Sequence, residues 1–240
     1  MELHLPPKPT PTVLPGEFRF AAAGLAHGHI YGMVNGLLDA GAELVGVWDE
    51  DLKKVSAFQS AFPQAHAASC LDELLDAHDI SLIVSAAGPS ERWPLGRRVM
   101  AETGRKYMVY YSERLHNEAA TLADELIRRG EIGRVLHMEG FGPHRLGNAR
   151  PDWFYQKACC GGILCDIGSH QLEQFLYFTG AEDSDITFSR KANYAHPGHP
   201  EFEDFGECTA AASNGATGYF RVDWFTPDGL RRWTHLHLGH

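Results

Sequence analysis

The chain has 240 residues, 44% of them hydrophobic and 22% charged, and a formal net charge of −10. That acidity argues against nucleic acid or an anionic membrane surface as a partner and leaves a small molecule as the default ligand. No run approaches the ~20 apolar residues of a membrane span, nothing resembles a secretory leader, and the five cysteines fit reduced thiols, so a cytoplasmic protein is expected.

Residues 1–16 hold Pro6, Pro7, Pro9, Pro11 and Pro15 with little to bury, and read as a mobile or extended arm. From Phe18 the pattern becomes regular. Phe18 to Ala23 is an apolar run, a glycine-containing turn follows, Ile30 to Ala40 is helical, and Glu43 to Trp48 is a second strand, which together make a βαβ unit. Helices follow over Asp51 to Phe62 and Asp72 to Ala77, a buried strand over Ile80 to Ala86, and a helix over Ser90 to Glu102. Such alternation implies a parallel sheet covered on both faces.

Beyond Lys106 the pattern predicts a strand over Tyr107 to Ser112, a helix from Asn117 to Arg129 closed by Gly130, and a strand over Val135 to Phe141. A helix over 166–178 and strands near 185–193, 206–213, 216–225 and 232–238 complete it, with Asn214-Gly215 as a hairpin turn. The expected organisation is a Rossmann-like α/β domain over 17–108 followed by an α+β domain with an open antiparallel sheet over 109–240.

Two segments carry chemistry. The turn Gly24-Leu25-Ala26-His27-Gly28-His29 has the first glycine of a GxGxxG pattern in register, with Ala26 and His29 at the other two positions. Such a turn lets backbone amides approach a pyrophosphate at a helix N-terminus. Asp49, at the end of the second strand, is placed to accept hydrogen bonds from a ribose and to disfavour a 2′-phosphate, so NAD is expected in preference to NADP. The alternative is that Gly24 and Asp49 are turn residues only. In the second segment, Gly161-Gly162 leads to Asp166 and His170, with Glu173 a turn further on. A carboxylate one helical turn from an imidazole makes an acid/base pair, although a helix cap followed by a core histidine has the same spacing.

Together these residues resemble the Gfo/Idh/MocA family of nicotinamide-dependent sugar and cyclitol dehydrogenases, through Phe20 to Gly32, Val45 to Asp49, Ser85 to Pro89 and Gly161 to His170. The resemblance implies that Gly24, Ala26, His29, Asp49 and Pro89 line the cofactor. It implies that Asp166 and His170 stand beside the nicotinamide with His170 as acid/base, that the substrate is sugar-like, and that the C-terminal sheet makes a homo-oligomer. Where the family has a strand ending in Glu-Lys-Pro, Arg97-Arg98-Val99-Met100 here runs straight into Ala101-Glu102-Thr103-Gly104. The chain therefore reads as a relative shortened near 100/101 and truncated at its C-terminus. Lys157 and Lys106 are the candidate replacements for the absent lysine, or plain surface lysines, while Glu113 and Arg114 are candidate substrate contacts or a solvated loop.

Two other functions compete. One is a non-catalytic dinucleotide-binding or subunit protein, which the absent Glu-Lys-Pro segment favours. The other is a metal site drawn from Cys159, Cys160, Cys165, Asp166, His170 and the histidines His196, His199, His235, His237 and His240, yet no CxxC or HExxH spacing appears and no metal is assigned.

Overall fold

The computed structural model describes residues 10–147, 150–227 and 235–239. The chain divides into two compact units, Met1–Tyr107 and Met108–His240. Among the described residues no helix is long and apolar enough to cross a membrane.

The first unit runs β1 (Arg19–Ala23), α1 (His29–Asp39), β2 (Glu43–Trp48), α2 (Leu52–Ala61), β3 (His66–Ala67), α3 (Leu71–Asp76), β4 (Leu82–Val84) and α4 (Pro89–Thr103). Its four strands are all parallel in the order β3-β2-β1-β4. Residues Phe20 to Ala23 of β1 are all buried, because both faces of the sheet are covered. Phe20 and Ala22 pack with Ile30, Val34 and Phe58 of α1 and α2, whereas Ala21 and Ala23 face Leu71, Leu74 and Leu75 of α3 on the opposite side. Of the expected arm, residues 1–9 lie outside the described residues. Thr12 and Val13 both donate to Ala40 O, and Val13 packs on the core, so this part of the segment is docked.

The expected strand over Tyr107 to Ser112 does not form; residues 104–111 make no ladder and Ser112 opens a helix. The β-forming residues of this run find other surroundings. Tyr107 lies against Gly96 of α4, where a Cβ would collide with its ring, and Met108 and Val109 are exposed. Tertiary surroundings have overridden strand propensity.

The second unit contains α5 (Ser112–Leu115), α6 (Glu118–Arg128), β5 (His137–Pro143), a 3-10 turn (Asp152–Tyr155) and α7 (Lys157–Cys160). A π-helical turn (Leu164–Gly168) then leads into α8 (Ser169–Thr179), followed by β6 (Ser184–Ala192), β7 (Phe205–Ala212), β8 (Thr217–Asp223) and β9 (His235–Gly239). The sheet order is β6-β7-β8-β5-β9. It is mostly antiparallel, as expected, but β5 pairs with β8 in parallel, so the sheet is mixed. The β7–β8 hairpin turns at Asn214-Gly215, where Ala212 and Ala216 share backbone hydrogen bonds. One sheet face is packed by α6 and α8 through Ala120, Phe175 and Phe178 onto Met138, Cys208, Ala210 and Phe220. The other face carries Phe141, Tyr219, Glu207 and Arg190; the Tyr219 hydroxyl donates to Glu207 at 2.7 Å and Arg190 pairs with Glu207 at 2.8 Å.

The crossover from β6 to β7 is pinned by Asp204, which is wholly buried and accepts from Tyr194 N, Ala195 N and His196 Nδ1 at 2.7–3.0 Å. Replacing Asp204 with Ala strands these donors, so urea denaturation should show a loss of about 3 kcal/mol; a loss below about 1 kcal/mol would remove Asp204 as the pin.

Candidate functional site

In the first unit, β1 ends at Gly24, whose φ of +75° and near contacts exclude a side chain; a Cβ there would stand 2.9 Å from Ala87 Cβ and 3.0 Å from Ser85 Oγ. The chain turns and enters α1 with Gly28 and His29 exposed at the helix start, where the helix dipole favours an anion, and His29 N, Ile30 N and Tyr31 N donate locally to His27 Nδ1, His27 O and Gly28 O. Asp49, 8% exposed, accepts from Leu25 N through Oδ2 at 2.6 Å and from Asp51 N through Oδ1 at 2.8 Å. Lys54 Nζ stands 3.6 Å from Oδ1. The acid at the end of β2 thus holds the glycine turn in place as well as presenting a carboxylate beside it. Pro89 opens α4, where its missing N–H costs nothing, and Arg92 Nε donates to Ala87 O at 3.0 Å across the same corner. Gly24, Ala26, His29 and Asp49 are brought together at the β1–α1 turn, and the close approach of Gly24 to Ala87 ties that turn to the strand end preceding Pro89.

In the second unit, Glu203 builds the turn that precedes α8. It accepts from Ile163 N at 3.2 Å and pairs with Lys157 Nζ at 2.5 Å and Lys191 Nζ at 2.6 Å. Gly162, at φ +88°, leaves the room this carboxylate fills. Lys157 is therefore committed to Glu203, and the structure shows it in that role rather than as a free ammonium. Burial pushes the Glu203 carboxyl up, but the two ammonium groups outweigh it and hold it below its ordinary 4.5.

The π-helical turn places Asp166 and His170 on one stretch of backbone. His170 is half-buried, and burial pushes its imidazole below the ordinary 6.5; Glu113 and Asp166 oppose that shift and His144 adds to it. The expected hydrogen bond between Asp166 and His170 is not made on the buried ring nitrogen, since His170 Nδ1 has no partner. Asp166 instead acts on the ring through space. Glu173 Oε2, a turn further along α8, is likewise buried without a partner. Tyr111 meets the His170 ring edge-on with centroids 5.4 Å apart.

The short helix α5 divides its two charged candidates. Arg114 pairs with Glu173 Oε1 at 2.6 Å and lies 3.8 Å over the Tyr177 ring, so it braces α8. Glu113 points instead to His144 Nε2 at 3.1 Å and accepts from Gln171 Nε2 at 3.0 Å. No sequence motif singles out Gln171 or His144. The available signal was Gly140-Phe141-Gly142: alternate glycines in a strand mark a close approach, here that of the Gln171 side chain. Among the described residues no group of three or more His, Cys, Asp or Glu is placed to hold a metal ion.

Residues 121–238 match the GFO/IDH/MocA C-terminal domain family. A solved candidate oxidoreductase from Erwinia carotovora atroseptica SCRI1043 is 48% identical, with 92% of this chain and 75% of that one covered at a TM-score of 0.85. A candidate NADPH-dependent oxidoreductase from Desulfitobacterium hafniense, 18% identical, covers 92% of this chain and 70% of its own at 0.76. The WlbA dehydrogenase from Bordetella pertussis, solved with NADH and UDP-GlcNAcA, is 19% identical, with 92% and 74% covered at 0.72. No curated protein sequence matches. The class defined is an oxidoreductase with a parallel-sheet unit followed by a mixed-sheet unit. The chain belongs to the Gfo/Idh/MocA family.

Because Glu203 is held below its ordinary 4.5, the stability it contributes is complete above that value and lost as pH falls through the lowered one. Melting temperatures measured from about pH 6 to about pH 3 should therefore fall less steeply for Glu203→Gln than for the parent; parallel curves would show that the lysines do not stabilise the carboxylate.

Proposed function

We propose that this chain is a nicotinamide-dinucleotide-dependent dehydrogenase acting on a secondary hydroxyl of a sugar or cyclitol. The observation that carries the reading is His170, a half-buried imidazole with an unpartnered Nδ1 and carboxylates nearby, in a chain whose first unit presents an acid beside a glycine turn.

The first unit fits a dinucleotide in its donor set. Gly24, Ala26 and His29 border an exposed helix start suited to a pyrophosphate, and Asp49 offers a carboxylate to a ribose. A carboxylate repels a 2′-phosphate, which supports NAD over NADP, and the nearby Lys54 offsets part of that repulsion. When bound, the nicotinamide supplies a hydride acceptor. The chain's own contribution is proton exchange. Neutral His170 takes the hydroxyl proton, burial favours that neutral form, and Glu113 and Asp166 stabilise the imidazolium that results.

The sign for pH follows. With the imidazole held below its ordinary 6.5, His170 is ready as a base at neutral pH, and oxidation is lost only as pH falls through the lowered value. A pH–rate profile should show that acidic limb, and His170→Gln should cut kcat by roughly 10²-fold or more while leaving dinucleotide affinity unchanged. A flat profile would remove His170 as the base.

The commitment of Lys157 to Glu203 favours a second reading, a non-catalytic dinucleotide-binding subunit, because that lysine is not free to replace the family's own. Calorimetric titration with NAD and NADP separates the readings. Saturable NAD binding that weakens in Asp49→Ala supports the cofactor assignment. Binding with no turnover across sugars and cyclitols selects the subunit, and no binding by folded protein sinks both. The reading also gives the chain a homo-oligomeric state through the mixed sheet, on whose outermost strand β6 Ile186 and Phe188 are about half exposed. Light scattering should then show a lower mass for Phe188→Lys, and an unchanged mass rejects that surface.

A further inference from the structure

The pair Glu113–His144 is not needed to bind anything in the reading above, yet it is the most enclosed ion pair near His170. Their side chains are 19% and 8% exposed. The hydrogen bonds orient the pair. His144 Nδ1 lies 2.9 Å from Gly142 O, which can only accept, so Nδ1 carries a proton. Nε2 then faces Glu113 Oε1 at 3.1 Å, and a neutral imidazole would oppose a lone pair to a carboxylate. The contact needs one further proton between Nε2 and Oε1, taken here on the imidazole, as an ion pair.

The pair is also anchored to the neighbour of His170. Gln171 Nε2 donates to the second oxygen of Glu113 at 3.0 Å, and the Gln171 side chain lies where a Cβ on Gly140 would collide with it. Gln171 is 2% exposed, so this contact has no room to slide. The charged and titratable groups around His170 are Asp166 and Glu173 on its own stretch, Tyr111, Glu113 and Arg114 at α5, and His144 at the end of β5. Arg114 is spent on Glu173, which leaves Glu113 and His144 as an opposed couple whose effects on the ring have opposite signs.

We propose that Glu113 and His144 are positioning residues for His170: an ion pair, fixed by Gln171 and Gly142, that sets the field in which the imidazole exchanges its proton. In this arrangement His144 offsets part of the effect of Glu113 on the ring. Breaking the pair on the His144 side uncovers a carboxylate, and the ring then binds its proton more tightly. This inference rests on the dehydrogenase reading and deepens it by joining His144 to Glu113 as one unit beside His170.

The test is an NMR titration of the histidine rings in cofactor-free and substrate-free protein, with His170 assigned by its loss in His170→Gln. In His144→Asn the midpoint of His170 should rise by about one pH unit, a tenfold gain in proton affinity. In the double variant Glu113→Gln/His144→Asn that rise should disappear, because the uncovered carboxylate is gone. A purely structural role would displace both variants in the same direction. The proposal is overturned if folded His144→Asn leaves the midpoint in place, or if the rise survives in the double variant. His144→Gln serves the same comparison should the asparagine variant not fold. Since the titration needs neither ligand nor turnover, a failed shift with dehydrogenase activity intact rejects this inference alone, and the expected shifts without dinucleotide binding reject only the dehydrogenase reading.

Discussion

The polar cluster of the second unit depends on one steric constraint: β5 has no side chains at Gly140 and Gly142 on its buried face, so the Gln171 side chain lies directly on the strand. Everything near His170 follows from that contact. It lets the first turn of α8 approach β5 closely, orients the amide toward Glu113, and brings the end of β5, with His144, beside the same carboxylate. Phe175 and Phe178, further along α8, bury the apolar side of that helix against Met138, Cys208 and Phe220, so polar precision at one end rests on ordinary hydrophobic burial at the other.

The first unit solves a comparable problem with a charge. A glycine turn that presents its amides to a ligand has few side chains to hold its shape, and Asp49 supplies the hold by accepting from Leu25 N and Asp51 N. A carboxylate has about four acceptor sites, so two backbone bonds leave capacity for ribose hydroxyls. One side chain thereby couples the shape of the turn to the residue that would read the sugar. Loss of Asp49 acts on both, which is why binding and stability belong in the same experiment.

Much of this was legible in the residues. The strands β1 and β2 and the helices α1, α2, α4, α6 and α8 follow from apolar periodicity with glycine or proline at their ends, and the β7–β8 turn follows from Asn214-Gly215. The failures have physical causes. Tyr107 to Ser112 has strand composition, but Tyr107 lies on α4 and the run gains no ladder, a fact of tertiary environment that local pattern does not contain. The parallel pairing of β5 with β8 is a matter of topology, since alternation marks a half-buried strand without giving its partner's direction. In the second unit, spacing marks Asp166 and His170 as one stretch of chain, whereas the partners of Glu113, Arg114 and Lys157 have no such mark. Those partners lie 31, 59 and 46 residues away respectively at His144, Glu173 and Glu203, and no short-range pattern encodes such pairs.

The charge pattern of the second unit also bears on the His170 ring. Glu173 is balanced by Arg114 and Glu113 by His144, so two of the acids that act on the ring are paired, while Asp166 adds to the pull on its proton. Had they been unpaired, their combined field would keep His170 protonated and useless as a base near neutral pH. With those two acids paired, burial outweighs the carboxylates and holds the imidazole below its ordinary 6.5.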